Sequence, residues 1–577
     1  MKKNLLLSKI QGFWILLFVL GFMFVISCKK EKQEKDKIGR IELSAPQSTV
    51  KRFLELQLIA KAYYVSGDLV ENINFQWQTS NETIATVDAN GKLKARKVGQ
   101  VEISASYNGV VGKYSVEVTP NAIQAISLSE MKDTLVVAHY NTLSAKARLA
   151  SGDEIDIGEL MNWSLSNMDL AEITSDGLLG KTQGNLLVTA NFEGMSGTKA
   201  VFVNAVEVTE ISNFLSTPIS GALNVLPVVI IRSLATADGI NIDVSKSPGY
   251  WNLDPISLAD MKSKIDNFDI YTKFALEEAT KFRGYKDPNA VPYIGYKVVG
   301  YITLYEQLPN SYIPIGQDSG QDMYMPDYTA LFNRLNIEHY VNDLGVKEIW
   351  MWNGGVAPSY PCYDPNIHGT DSFLKLWESN MSSALTGDIS NSDRRNDDLP
   401  IYNHTYVLYS HNIRRTQAEA IHNRGHQFES IFAHVNSMQD GNSDLFWKKF
   451  TGQDSEGHAV TGRCGNTHMP PNTTTDYDYE NTALVQSDIE DWKPDNSGVK
   501  KNVNVNTWKN IAYGWPADAP SSFDQKTETQ FYIYWMQSFP GNQNTIPYGN
   551  GKTMTNWWKF VTDWEDAINS NMGLHTN

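Results

Sequence analysis

The sequence predicts two tandem all-β sandwiches followed by a large α/β domain, and three observations carry that expectation. A stretch of about 85 residues occurs twice in succession, and short runs within each copy alternate apolar and polar residues. From about Thr209 the pattern changes to longer helical periodicities between short apolar runs. At 577 residues the chain exceeds one core, and a norm of roughly 150 residues per domain implies three or four.

The first element is a leader. Met1-Lys2-Lys3 opens a basic start, Gly12 to Ile26 carries no charge, and Ser27-Cys28-Lys29-Lys30 follows. A basic start, a short apolar stretch and a small residue before the cut describe a secretory signal. The stretch is shorter than the about 20 residues of a spanning helix. Val25-Ile26-Ser27-Cys28 resembles a bacterial lipobox, which implies acylation of Cys28 and a signal peptide over 1–27. The alternative is an uncleaved anchor helix; both readings export the remainder and tether it to a membrane. Lys29 after the cysteine resembles lipoproteins sorted to the outer membrane, so the chain is expected at the cell surface. Residues 28–38 are highly charged and read as a solvated tether. In an oxidising compartment Cys362 and Cys464 either pair or remain buried thiols.

The repeat is read by self-comparison. Phe75-Gln76-Trp77-Gln78-Thr79-Ser80-Asn81 returns as Met161-Asn162-Trp163-Ser164-Leu165-Ser166-Asn167, so Trp77 and Trp163 are 163 − 77 = 86 positions apart. Gly91 and Gly177 keep the same offset. Val101, Ile103 and Ala105 alternate with Glu102 and Ser104, as in a half-buried strand. Asn90-Gly91 and Asp176-Gly177 are hairpin signals because these residue types tolerate φ > 0. Each copy has the length of a two-sheet sandwich, with Trp77 and Trp163 as core residues. The pattern resembles the bacterial Ig-like group 2 family (Big_2): Trp-x-x-x-Asn, then Ala85-Thr86-Val87-Asp88, two glycines and a final apolar-polar run. The second copy departs from it at Leu165 and Glu172. The resemblance implies immunoglobulin-like modules over 39–119 and 120–207 and display at a surface.

Residues 208–577 form the third part. Leu226 to Ile231, Val298 to Leu304, Val346 to Trp352 and Leu399 to Tyr409 read as strands. Ser257 caps a helix to about Phe282, and Tyr328 to Leu344 is helical. Ala459 to Trp515 lacks periodicity and reads as long functional loops. Phe531 to Gln537 is expected as a strand, and Asn556 to Ile568 as the closing helix.

Chemistry concentrates in two places. Between Arg415 and Val435 an apolar stripe (Ala418, Ile421, Gly425, Phe428, Phe432, Val435) runs beside an ionisable one (Arg415, Glu419, His422, His426, Glu429). Gly425 in a helix interior costs about 1 kcal/mol, which suggests close packing there. His426 and Glu429 lie one turn apart and, with His468, are candidate zinc ligands. Without metal, Glu429 is a candidate general acid or base tuned by His426. The bland alternative is an ion-paired helix face. The second place is acidic: Asp476-Tyr477-Asp478-Tyr479-Glu480 and Asp488-Ile489-Glu490-Asp491-Trp492. Paired carboxylates beside aromatic platforms suit glycoside hydrolysis, with Asp488 and Asp491 as catalytic candidates. Trp492, Tyr477, Tyr479, Trp352 and Arg463 are the substrate-binding candidates. Calcium is a further reading of the acidic run, and a solvated loop is the plain one. Asp238 and Asp243 follow the strand at 226–231, where α/β sheets place ligands.

A net charge of −16 argues against nucleic acid, which needs clustered Lys and Arg. No phosphate loop, dinucleotide fingerprint or nucleophile elbow occurs, so nucleotides are not expected partners. Export, spacer modules, 15 Trp, 27 Tyr and the carboxylate clusters point to a surface hydrolase of extracellular polymer, glycan first. The alternatives are a non-catalytic glycan-binding lipoprotein and a zinc metallopeptidase.

Overall fold

The computed structural model describes residues 37–243, 256–318, 321–353, 360–361, 372–374, 376–392, 398–412, 416–514 and 526–577. The leader, Cys28, Cys362 and Arg415 fall outside them. No helix among the described residues is long and apolar enough to cross a membrane. The chain gathers into two compact units. One holds the residues up to Met131 with 143–164 and 188–199, the other 132–142, 165–187 and everything from Ala200 on. Strands of the second repeat therefore belong to both.

In the first unit, residues 38–119 form three small antiparallel or mixed sheets. Ile38–Ser44 pairs with Ile59–Tyr64, and Gly99–Tyr107 lies between Val110–Thr119 and Gln76–Thr79. The alternation seen in sequence is realised: Val101 and Ile103 are buried with Val50, Leu56, Leu93 and Val116, and Ala105 with Ile38, Ile41 and Ala62, the half-buried Trp77 packing against both groups. Gly91 adopts φ +79°, and a Cβ there would sit 2.6 Å from the Trp77 ring. The turn thus requires glycine for both its backbone and its neighbour. Asp88 closes the same turn, accepting from the Asn90 and Lys92 N–H groups.

The second unit is built on a six-stranded sheet of β1 (Val206–Val208), β2 (Asn224–Ser233), β3 (Ile294–Leu304), β4 (Glu348–Asn353), β5 (Ser379–Ser382) and β6 (Tyr406–Asn412). Their spatial order is β1-β3-β2-β4-β6-β5. The four central strands are parallel and the two edges antiparallel. Central strands covered on both faces read as continuous apolar runs, which is why they were visible in sequence. On one face Val229, Ile231, Ile302, Ile349, Met351 and Leu408 pack under α2 (Tyr328–Leu335) and α3 (Ile337–Asn342). The expected single helix over 328–344 breaks at Asn336, which adopts φ +54°.

The other face carries α1 (Leu258–Ala279) and α4 (Gln417–Asp440), which pack on one another. Ser257 caps α1 by accepting from the Asp260 N–H at 3.0 Å, and the helix ends three residues before Phe282. Thr416 caps α4, and Gly441, at φ +77°, ends it. This face is polar within its burial. Arg424 of α4 reaches Glu348 at 3.0 Å and lies over the Trp350 and Tyr409 rings. Thr303, Arg232, Trp352 and His411 stand in one row across the C-terminal ends of β3, β2, β4 and β6. Asp269 of α1 faces that row and accepts from the Trp352 indole N–H and the Tyr301 hydroxyl.

Three sequence expectations are corrected. Phe531 to Gln537 is not a strand but lies in α5 (Lys526–Met536) and its end. Every residue from Thr529 to Phe539 is buried, and an apolar run without polar punctuation has no period to distinguish strand from helix. Leu399 to Tyr402 is irregular, and the strand begins at Tyr406. The closing helix is two short pieces, Lys559–Thr562 and Trp564–Asn569, separated at Asp563. Among the described residues, 459–514 is irregular apart from the pair Val485–Ser487 and Lys501–Val503 and two short turns of helix.

Burial pushes the Asp269 carboxyl up to about 7 despite its two donors and nearby Arg232. A carboxyl raised on folding contributes stability below its unfolded pKa and loses it as pH rises through the folded value. Asp269→Asn is therefore expected to gain stability relative to the unmodified chain between pH 4 and 7, read by urea unfolding at each pH.

Candidate metal centre

The ionisable stripe of α4 meets a loop. His422 and His426 are one turn apart on the helix, and His468 arrives from the irregular region. The His426 Nε2 lies 3.1 Å from His422 Nε2 and 3.0 Å from His468 Nε2. One nitrogen from each ring thus faces a common point. These three ligand atoms lie within 4.8 Å of one another, and among the described residues the only other such group is the largely exposed Asp454, Glu456 and His458.

Two of the outer nitrogens are hydrogen-bonded, and the third faces an exposed carboxylate. His422 Nδ1 meets the Tyr532 hydroxyl at 2.8 Å, and Tyr532 donates to Glu528. His426 Nδ1 meets Glu429 Oε2 at 2.8 Å. His468 Nδ1 faces Asp476 at 3.5 Å. Partners on the outer nitrogen fix the tautomer and leave Nε2 free, the usual support of a metal-binding imidazole. Nitrogens held at 2.0–2.1 Å by a tetrahedral ion stand about 3.3 Å apart, close to the observed spacing. With all three rings neutral and Nε2 unprotonated, the point they face lacks a donor, and either a proton on His426 or a metal ion supplies the missing positive charge. The donor set, its spacing and its outer partners fit a divalent ion such as zinc.

The loop is placed by specific contacts. Asn466 accepts from the His468 and Met469 N–H groups at 2.9 and 2.8 Å. Glu429 Oε1 accepts from the Thr467 N–H at 2.8 Å. Thr467 itself lies against Gly425, where a Cβ would stand 2.5 Å from its Oγ1. The helix-interior glycine is there because the His468 loop crosses at that point. Tyr479 donates to the Thr467 carbonyl at 2.8 Å.

Charge around the triad is negative. Burial pulls the His426 imidazole down, but the charge and hydrogen bond of Glu429, with Glu378 and Glu419 nearby, push it up to about 9. His468 is lowered by burial and by the neighbouring His426. Burial opposes ionisation of Glu429, yet His426 and the Thr467 N–H hold its carboxyl below the usual range. Glu378, just before β5, comes within 3.6 Å of His426 Nε2 and accepts from the Asn391 side chain.

The structure divides the sequence candidates. His426 and His468 come together as expected, but Glu429 stands behind His426 and orients it, and the third inward-facing nitrogen belongs to His422. Tyr477 lies over the triad. Of the remaining candidates, Asp488 is fully buried 3.2 Å from Arg463, and Asp491 faces Arg283 and Lys493, each at 3.5 Å. Arg463 stands beside the first, whose two oxygens accept no hydrogen bond, and two partly exposed cations face the second. Arg463 also donates to Asn496 and to the Lys493 carbonyl. Trp492 is buried against Phe450 and donates to the Lys449 carbonyl, and Trp352 is fully buried. Neither is a surface platform, and Tyr479 is buried with its hydroxyl 2.7 Å from that of Tyr532. The carboxylates of the 476–491 run do not converge as calcium would require. Asp238 closes a turn, accepting from Ile240 and Asn241 N–H groups. Cys464 is buried. Sequence reasoning passed over His422, although its i,i+4 spacing to His426 was a usable signal; nothing around Glu378 marked it.

Residues 38–118 match the bacterial Ig-like domain (group 2) family. A segment of 179 residues is 27% identical to ice-binding protein 1 of Shewanella frigidimarina, covering 30% of this chain and 20% of that protein. The chain thus spans about a fifth of the length of that relative. Solved structures with similarity include domains 4 and 5 of the S-layer protein SbsC and the Escherichia coli adhesin FdeC. The SbsC structure is 13% identical over 29% of this chain and 100% of its own, with a TM-score of 0.15. FdeC is 14% identical over 29% of this chain and 66% of its own, with a TM-score of 0.14.

Gly425→Ala separates helix propensity from the site. Alanine favours an isolated helix by about 1 kcal/mol, but here it would push Thr467 and His468 away. The expected outcome is weaker divalent-metal binding, on the order of tenfold, with no gain in thermal stability, measured by zinc titration and melting.

Proposed function

We propose that the C-terminal region is a metal-dependent hydrolase of neutral acyl bonds, amide or ester, in extracellular polymer. In this reading it is carried at the cell surface by a lipid on Cys28 and by tandem immunoglobulin-like spacers over 39–119 and 120–207. The observation that carries it is the convergence of His422, His426 and His468 Nε2, with the first two rings hydrogen-bonded from behind.

A divalent ion held there supplies Lewis acidity, polarising a substrate oxygen and acidifying water. The chain's own residues supply the rest. Glu429 keeps His426 in the tautomer with Nε2 free, and Tyr532 does the same for His422. Glu378 is the carboxylate that comes within 3.6 Å of His426 Nε2, and it accepts the proton of the attacking water. It is not among the mutually close ligand atoms, which suits a base better than a ligand. Glu378, Glu419 and Asp476 make the surroundings negative, so phosphate and sulfate esters are disfavoured substrates and neutral acyl groups preferred. The glycosidase reading loses support because Asp488 and Asp491 are held by Arg463, Arg283 and Lys493.

Elemental analysis of the purified full chain after dialysis is expected to find about one divalent ion per chain, lost in His468→Ala. Glu378→Gln is expected to keep the ion and to lower turnover about 100- to 10,000-fold on a panel of peptides, esters and acetylated glycans. A chain that retains no ion overturns the proposal. An ion retained with no turnover of any acyl substrate turns the reading to surface binding.

A further inference from the structure

Tyr477 is not explained by packing or by turn chemistry. Its backbone adopts φ +61°, a left-handed conformation that a bulky side chain rarely occupies. It is 53% exposed, so burial of the ring does not offset that strain. The conformation is held by its N–H, which donates to the His468 carbonyl at 2.9 Å. The result is a ring turned back over the triad: its centroid lies 4.5 Å from that of His468 and 5.8 Å from that of His422, near-parallel to the latter at 22°. The hydroxyl ends 3.1 Å from His468 Nε2, the nitrogen that faces His426 Nε2 at 3.0 Å. The phenol oxygen therefore lies as close to His468 Nε2 as the His422 and His426 Nε2 atoms lie to each other.

We propose that Tyr477 supplies a fourth protein donor, a phenolate oxygen, to the ion held by His422, His426 and His468; this rests on the metal reading above. Coordination replaces the O–H bond by an oxygen–metal bond, and the proton leaves to solvent. The exposed ring makes this donor the one that can swing out, so the fourth position alternates between Tyr477 and an incoming oxygen ligand. The strained backbone keeps the tyrosine close enough to return.

The test needs no substrate. Cu(II) binds nitrogen and oxygen sites most tightly among first-row divalent ions and reports a phenolate ligand by an intense visible charge-transfer band that imidazole ligands alone do not give. The purified full chain titrated with Cu(II) is expected to bind one equivalent and to show this band, with tyrosinate ring modes enhanced by Raman excitation within it. Tyr477→Phe is expected to retain the copper and lose the band, and Tyr140→Phe, at an exposed tyrosine of the second repeat, to keep both. A band that survives in Tyr477→Phe, or copper bound by the unmodified chain without any such band, overturns the proposal. Failure of the unmodified chain to hold copper or zinc overturns the metal reading itself and is distinguished by the binding stoichiometry.

Discussion

One carboxylate ties the site together. Glu429 is buried on α4, and its two oxygens go in different directions: one to the Nδ1 of His426, the other to the backbone N–H of Thr467. The first bond fixes an imidazole on the helix, and the second fixes the loop that presents His468. A buried carboxylate is costly unless its lone pairs are occupied, so the helix and the loop must meet for either to be stable. Gly425 makes the meeting possible by removing the side chain that would stand between them. The ionisable stripe is therefore a joint as well as a surface.

That joint is held from behind by packing. The apolar stripe of α4 puts Phe428 and Phe432 against Phe539, Trp557 and Trp558, with ring centroids 4.9 to 6.2 Å apart among these pairs. Such aromatic contacts bury large areas with defined geometry, so the helix has little freedom to rotate its histidines away. Arg424, on the sheet-facing side, anchors the same helix to Glu348 of β4 and to the His411 ring nitrogen at 3.0 Å. Much of the heavy aromatic content that suggested ligand platforms in the sequence is spent on this scaffold. Trp352 and Trp492 belong to it.

The parts of the fold legible in sequence were those with a period. The repeat, the strand alternation in its first copy and the two stripes of α4 follow from spacing, whereas the central strands rest on short apolar runs, the same signal that misassigns Phe531 to Gln537. Phe531 to Gln537 was not legible because its residues are buried on every side and carry no period. At the site, spacing placed His422, His426 and Glu429 on one edge but could not say which pair turns inward. That choice depends on what lies behind each ring: Tyr532 backs His422, while Glu429 backs His426. The acidic run misled for a related reason. Whether Asp488 and Asp491 are free or paired depends on Arg463 and Arg283, which lie 25 and 208 positions away by subtraction (488 − 463 and 491 − 283). Carboxylate clusters are visible in a sequence, whereas their counter-ions are set by the fold.

Electrostatics then bears on which ion and which substrate such a site accepts. Three neutral imidazoles contribute no charge, yet Glu429, Glu378, Glu419 and Asp476 surround them. In the absence of a metal this field drives His426 to hold a proton, which places one positive charge where an ion would supply two. A dication answers the same field more completely, and its binding must displace that proton, so metal and proton compete for one nitrogen. The same negative surroundings make an anionic substrate expensive to bring near, since each added negative charge meets carboxylates in a partly desolvated cleft. A neutral acyl group incurs no such cost. The arrangement that draws a cation in also selects against phosphate and sulfate, and both effects come from carboxylates that are not themselves among the three ligands.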